Sequence, residues 1–323
     1  MTGLDDVAAL IGRGRRFLCA AHARPDGDAL GSMLATAHGL RALGKEVALY
    51  DHDLPPERLR FLPGASEVRT TVGANQRFDA TFVHDCGDAR LLGHRFPPRE
   101  VTGPIVVLDH HASVKPFGDL VLRDSSASAV GVIVARLLRR LGVAIDRPIA
   151  ESLWCSLASD TGWFRYSSTD VETMELATAC VAAGAQPWKF ALESEEAWPP
   201  ARLRLLARVL GTLELVGDAP PRAAILTLAD EMLGETGASP DLADGFVNYA
   251  RGLAGVEIGV LVSITRREVH VSLRSKGSAD VGALAAKLGG GGHRAAAGCT
   301  LPLPADAALA TLKAALADAL KAA

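Results

Sequence analysis

Four short apolar runs in the first half of the chain each end in polar residues: RFLCAAHA (16–23), EVALYDHD (46–53), FDATFVHDCG (78–87) and GPIVVLDHH (103–111). Runs this short, rich in Val, Leu or Phe, predict buried strands. Between the first two, DALGSMLATAHGLRALG (28–44) carries apolar residues at helical spacing and a glycine near its end, which predicts a helix. Strand, helix, strand is the βαβ arrangement, so the pattern predicts an α/β fold with a mainly parallel sheet and helices on both faces. In such sheets ligands gather at the carboxyl ends of the strands, which is where the polar tails of these runs point.

Helical spacing continues in SAVGVIVARLLRRLG (128–142), PIAESLWCSLASD (148–160) and VETMELATACVAAG (171–184). Thr169, with Glu172 three residues on, reads as a capping box for the last of these. EEAWPPARLRLLARVLGTLEL (195–215) reads as a proline-started, Arg-rich amphipathic helix, and VGDAPPR (216–222) as a turn-rich break. Beyond it AAILTLA, VEIGVLVSIT and EVHVSLRS predict strands of a smaller α+β domain that closes with a glycine run and an alanine-rich helix. The expected organisation is a first domain over 1–190, a linker helix over 191–218 and a second domain over 219–323.

Composition narrows the class. A chain of 323 residues is long enough for two domains, each with its own core. An apolar share of 49% and a charged share of 22% exclude disordered, collagen-like and coiled-coil proteins. A net charge of −3 argues against non-specific gripping of long DNA through overall charge. The five cysteines form no C-x-x-C pair, so neither a disulfide framework nor a thiolate zinc site is expected, and a reducing cytoplasm fits best. No secretory apolar core and no stretch of about 18 uncharged apolar residues occurs, so no membrane partner is expected.

The polar tails hold the chemistry. HARPDGDALGS contributes His22, Asp26 and Asp28; VHDCGD contributes His84, Asp85 and Asp88; LDHHAS contributes Asp109, His110 and His111; ASDTGWF contributes Asp160. If the predicted sheet forms, these groups reach one crevice. So many carboxylates cannot share it unpaired, because like charges raise one another's pKa or demand a cation. Ligands that are mostly Asp with a few His and no Cys favour Mn²⁺ or Mg²⁺ over structural zinc. Two such ions about 3.5–4 Å apart, sharing a carboxylate, suit phosphoryl transfer. Singly, each Asp has a plainer reading as a cap or turn residue, and Asp28 can cap the helix it opens. His38, His52, His84, Asp88 and His94 are read as packed or solvated. The coincidence of four polar clusters on successive element ends is what favours metal.

In the second domain Arg274, followed by Ser275, is a candidate phosphate clamp, since a guanidinium matches phosphate bidentately. KLGGGGHRAAAG (287–298) is either a helix stop and turn or a loop whose bare N–H groups approach a phosphate or base, with His293 and Arg294 as added donors. Arg251, Arg266 and Arg267 are read as solvated.

PDGDALGS, HDCGD, LDHHAS and SDTGWF, in this order, resemble the four motifs of the DHH phosphoesterase superfamily, and GGGGHRAAAG (289–298) resembles the hallmark of its partner domain, DHHA1. The two-domain layout is most similar to the oligoribonuclease/pAp-phosphatase group, the nano-RNases. The resemblance implies that His22 and Asp26 hold one divalent ion, that Asp28, His110 and Asp160 hold another, and that Asp85 bridges both. Asp109 would orient a histidine, and His111 would contact the scissile phosphate or assist proton transfer. Arg274, Ser275, Gly291, Gly292 and His293 would bind substrate. The implied cofactor is two divalent metal ions, Mn²⁺ first, with Mg²⁺ or Co²⁺ as alternatives. The implied reaction is hydrolysis of short RNA or DNA oligonucleotides to nucleoside monophosphates and of pAp to AMP; a homodimer is left open. Competing readings are a cyclic- or linear-dinucleotide phosphodiesterase, a manganese pyrophosphatase, a RecJ-like single-strand exonuclease and a non-catalytic nucleotide-binding regulator.

Overall fold

In this computed structural model the described residues are 3–111, 117–217, 222–276, 279–292 and 294–322. The first of two units, Met1–Ala197, runs α1 (Leu4–Arg13), β1 (Arg16–Ala21), α2 (Gly27–Ala42), β2 (Glu46–Tyr50), β3 (Ala80–His84), α3 (Arg99–Thr102), β4 (Ile105–Asp109), β5 (Leu120–Arg123), α4 (Val130–Arg140), α5 (Arg147–Asp160), α6 (Val171–Ala182) and α7 (Pro187–Glu195). Alternate residues of β1 face opposite ways: Phe17, Cys19 and Ala21 join one apolar cluster, Leu18 and Ala20 another. That two-sided burial is why the strand reads as continuously apolar. The sheet order is β2-β1-β3-β4-β5, with every pair parallel. Helices α1, α2, α4 and α5 cover one face. On the other lie α3 and the connecting segments, through Phe78, Leu92, Phe96, Val101 and Phe117.

Strand order reverses between β1 and β3, the place where open parallel sheets bind ligands. Close packing of α2 on α5 brings two polar clusters to that place. A Cβ on Gly31 would lie 2.5 Å from Ser152 O, and one on Gly27 2.5 Å from Ser159 Oγ, so only glycine permits this approach. The start of α2, with Asp26 and Asp28, is thereby set against the end of α5, with Asp160.

Three local expectations are corrected. The cap of α2 is Asp26, whose Oδ1 accepts from Asp28 N and Ala29 N at 3.1 and 3.0 Å; Asp28 caps another helix, described below. The cap of α6 is Asp170, accepting from Thr173 N at 2.8 Å, in place of Thr169, and Glu172 pairs with Arg136 instead. The helix expected over 195–215 spans only Pro200–Leu210. A proline cannot continue a helix begun before it, and Glu214–Val216 pairs as a strand.

The second unit, Trp198–Ala323, runs α8 (Pro200–Leu210), β6 (Glu214–Val216), β7 (Ala223–Ala229), α9 (Asp230–Thr236), α10 (Val247–Arg251), β8 (Ile258–Ile264), β9 (Glu268–Ser275), α11 (Val281–Lys287), β10 (Gly291–Gly292), β11 (Ala296–Pro302) and α12 (Ala305–Ala322). Its sheet order is β10-β11-β9-β8-β7-β6, with β7 and β8 parallel and the other pairs antiparallel. Helices α11 and α12 cover one face and α8 and α10 the other, α8 through Leu205 and Val209. Among the described residues no helix is long and apolar enough to cross a membrane.

Candidate metal centre

Each parallel strand delivers its polar tail to the same end of the sheet. His22 follows β1, Asp85 follows β3, and Asp109 closes β4 with His110 and His111 behind it. Asp85 adopts a positive φ of 51°, which turns the chain sharply off the strand at a cost of about 1–3 kcal/mol that the surroundings must sustain. Its carboxylate is buried and its two oxygens face different partners. Oδ2 lies 3.6 Å from His22 Nε2, and Oδ1 lies 3.7 Å from His110 Nε2 and 3.4 Å from His111 Nδ1.

Three groups of ligand atoms lie within 4.8 Å of one another: His22 with Asp26 and Asp85, Asp28 with His110 and Asp160, and Asp85 with His110 and His111. Within the first, His22 Nε2 stands 4.0 Å from Asp26 Oδ1; within the second, His110 Nε2 stands 3.1 Å from Asp160 Oδ2 and 3.7 Å from Asp28 Oδ2. The six residues expected to hold metal are therefore brought together.

Their surroundings fit a divalent cation. His22 Nδ1 is bonded to Ala23 O at 3.0 Å and His110 Nδ1 to Ala127 O at 2.9 Å, so in both rings Nε2 faces the carboxylates. A backbone carbonyl on the far nitrogen is the usual way a ligating imidazole is oriented. Asp85 Oδ1 is buried without a hydrogen-bond partner among the described residues, a costly state that a cation would relieve. Four carboxylates and two imidazoles make an oxygen-rich donor set suited to Mn²⁺ or Mg²⁺.

Electrostatics point the same way. Burial works against a charged His22, but the hydrogen bond to Asp85 and the charges of Asp26 and Asp85 outweigh it and raise the ring to about 10. Burial is likewise outweighed at His110, raised to about 11 by Asp160, Asp28 and Asp85. At Asp85 burial is overcome by His22, His111 and His110, and the carboxyl falls below its ordinary range. Asp28 goes the other way, pushed up by burial and by Asp85 and Asp160. The cluster thus holds its carboxylates together only against positive charge.

Asp28 has a second task. It is fully buried, and its oxygens accept from Val130 N at 2.8 Å, from Ser156 Oγ at 2.5 Å and from Gly131 N at 3.4 Å. The first turn of α4, whose own N-cap is Ala129, is thus capped by a side chain 102 residues away. Ser156 is absent from the sequence-based candidates, although its place one helical turn before Asp160 is a usable signal. Asp51, at the end of β2, is also absent from them; it is fully buried, Oδ2 has no hydrogen-bond partner among the described residues, and burial pushes the carboxyl up to about 7.

His111 is held by Asp109, its Nδ1 lying 2.8 Å from Asp109 Oδ1, and Asp109 is buried. Burial works to lower the His111 pKa, but Asp109 and Asp85 outweigh it and the ring is raised. His84 is different: its Nδ1 is bonded to Ala20 O at 3.0 Å and its Nε2 to Thr36 Oγ1 at 2.8 Å, and burial lowers it to about 4. It is a neutral pin between β1, β3 and α2. Asp88 accepts from Arg90 N at 3.0 Å in the turn that follows. Trp163 packs on Phe190 and Phe164 on Trp154, so both aromatics lie half-buried against the core.

In the second unit Ser275 is buried and its hydroxyl donates to Arg294 O at 3.2 Å, tying β9 to the glycine segment. Arg274 is half-buried beside it, its Nη1 donating to Leu273 O at 3.0 Å. Gly291 and Gly292 pair with Gly298 and Ala297 and are exposed. A Cβ on Gly290 would lie 2.1 Å from Gly298 O, and Gly292 combines a φ of +143° with a Cβ 2.5 Å from Ala296 O. Both glycines are required by the approach to β11. At Gly291 a Cβ would meet nothing within 4 Å. His293 lies outside the described residues.

Comparison with known proteins adds to this geometry. The profile of the DHH family, N-terminal domain, matches residues 16–157, and that of the DHHA1 domain matches residues 222–322. The chain is 33% identical over 283 residues to the bifunctional oligoribonuclease and PAP phosphatase NrnA of Thermus thermophilus, covering 87% of this chain and 83% of that protein. It is 26% identical over 289 residues to the protein of the same name from Bacillus subtilis, covering 87% of each chain. Its fold is similar to that of an exopolyphosphatase-related protein from Bacteroides fragilis, with a TM-score of 0.87, 23% sequence identity, and coverage of 97% of this chain and 95% of that one.

Proposed function

The chain belongs to the DHH/DHHA1 phosphoesterase family, and from that premise we propose that it hydrolyses short oligonucleotides to nucleoside monophosphates and pAp to AMP, using two divalent cations, Mn²⁺ in the first instance. One observation carries the reading: the two oxygens of Asp85 face two separate groups, His22 with Asp26 on one side and His110 with Asp28 and Asp160 on the other. A carboxylate so placed can serve two cations at once. When bound, the cations would neutralise phosphoryl oxygens and make a water nucleophilic near neutral pH.

The chain's own residues supply the rest. The backbone carbonyls on His22 and His110 hold both rings with Nε2 inward. Asp109 keeps the Nδ1–H of His111 and favours the charged ring, so Nε2–H is the proton offered to the leaving oxygen. Arg274, Gly291, Gly292 and His293 are proposed to contact the substrate's phosphates and base, with Ser275 bracing the segment that carries them. The mildly acidic chain suits substrates of a few nucleotides better than a polymer, whose binding draws on many basic contacts.

The test is a rate comparison on metal-stripped and Mn²⁺-loaded protein with pAp, a dinucleotide, a 24-mer, cyclic di-AMP and pyrophosphate. The expected result is Mn²⁺-dependent turnover fastest on the dinucleotide and pAp. Faster turnover of pyrophosphate or of the cyclic dinucleotide would replace this reading with another of the same family.

A further inference from the structure

The loop that carries His22 and Asp26 is strained. Arg24 has a φ of +57°, in the region that favours glycine, and it precedes Pro25, which biases its backbone toward extended conformations. Such a conformation persists only where neighbours hold it. Two contacts from outside the loop do so: Asp53 Oδ2 accepts the Arg24 N–H at 2.9 Å, and Leu91 O accepts the Ala23 N–H at 2.7 Å. Asp53 is held in turn, since its own N–H is donated to Asp51 Oδ1 at 2.9 Å. Asp51 is fully buried, and the register that sets Ala20 beside Tyr50 places it next to the end of β1.

We infer that Asp53, braced by Asp51, is a positioning residue for the His22–Asp26 ligand pair: its carboxylate clamps the Arg24 amide and fixes the strained loop between the two ligands. None of the four acidic and histidine motifs includes either residue. The loop is tied at one end to β1 and at the other to α2 through the Asp26 cap, so its middle alone is free to relax. Release of the Arg24 amide lets the loop extend before Pro25. His22 Nε2 then leaves its place 4.0 Å from Asp26 and 3.6 Å from Asp85, while Asp28, His110 and Asp160, on other elements, stay where they are.

This inference rests on the two-cation reading above, and the experiment separates the two. Metal-stripped full-length protein is titrated with Mn²⁺ in a calorimeter as the unaltered chain, Asp53→Ala and Asp53→Asn, with circular dichroism as a check on folding. The unaltered chain is expected to bind two equivalents. Asp53→Ala is expected to lose about ten- to a hundredfold in affinity for one of them, as loss of an outer hydrogen-bond partner does, with the other within about twofold. Turnover should fall while KM for a dinucleotide stays within about twofold, since the residue acts through ligands and not through substrate. Asp53→Asn keeps an acceptor oxygen and is expected to bind both equivalents nearly as the unaltered chain does. Full Mn²⁺ affinity in Asp53→Ala would overturn the inference, as would a loss in Asp53→Asn equal to that in Asp53→Ala. An unaltered chain that binds no Mn²⁺ would instead defeat the proposed function.

Discussion

The two units reach their candidate sites by opposite means. In the first, the carboxyl ends of parallel strands and the end of α5 hold buried and half-buried charged side chains whose contacts run to one another: His22 to Asp85, His110 to Asp160, His111 to Asp109. In the second, among the described residues, Arg274 and Ser275 turn to backbone, to Leu273 O and Arg294 O, and the glycines set the course of the chain beside them. Side-chain chemistry dominates the first cluster, and main-chain shape dominates the described glycines of the second. A substitution that changes chemistry without volume should therefore be severe in the first unit, and one that changes volume without chemistry should be severe in the second.

The largest expected effect is at Asp85. Asp85→Asn keeps the shape and removes the charge shared by both ligand groups, so turnover should fall at least roughly a hundredfold, and both Mn²⁺ equivalents should weaken in a calorimetric titration. Retention of either ion at full strength would show that Asp85 is no bridge.

The second unit should respond to a single methyl group according to position. Gly290→Ala drives a Cβ against β11 and should cost about 1–3 kcal/mol in denaturant unfolding. Gly291→Ala should leave stability within about 0.5 kcal/mol and raise KM for a dinucleotide several-fold, because only an approaching ligand meets that methyl. Equal stability losses at both would erase the distinction.

His84 sharpens the contrast inside the first unit. Its folded pKa of about 4 lies below the ordinary 6.5, so the unfolded chain takes up the proton first. The contribution is fully present above pH 6.5 and is lost as pH falls toward 4. Urea unfolding of His84→Asn should show a shallower loss than the unaltered chain over that window; identical slopes would mean that the folded ring takes up its proton as readily as the unfolded one.

The smallest effect is expected where charges pair away from the strand ends. Arg136 joins Asp124 and Glu172 with its side chain 32% exposed, and Arg136→Ala should cost about 1 kcal/mol or less with turnover unchanged. A large loss of turnover would extend the functional region to α4 and α6.

What could be read from sequence follows the same division. Buried parallel strands must be apolar until they end, so the four runs and their polar tails stood out, and with them His22, Asp85, Asp109 and His110. Features set by a partner distant in the chain did not. Asp28 caps α4 through Val130, and nothing local to Asp28 signals this. Asp53 clamps a loop 29 residues earlier, and although it stands in the polar tail of the second run, an Asp after a strand looks like any turn residue and nothing there names its partner. The need for glycine at 290 but not at 291 depends on where β11 runs, which composition cannot tell. Leu120–Arg123, four residues long, carries too little alternation to be seen as a strand.

The central proposal is that Asp85 and the five side chains gathered about it hold two divalent cations. Anomalous scattering from crystals grown with Mn²⁺ tests it directly. Two peaks are expected on opposite sides of the Asp85 carboxylate, one against His22 and Asp26, the other against Asp28, His110 and Asp160. A single peak, or none at full Mn²⁺ occupancy of the medium, would contradict it.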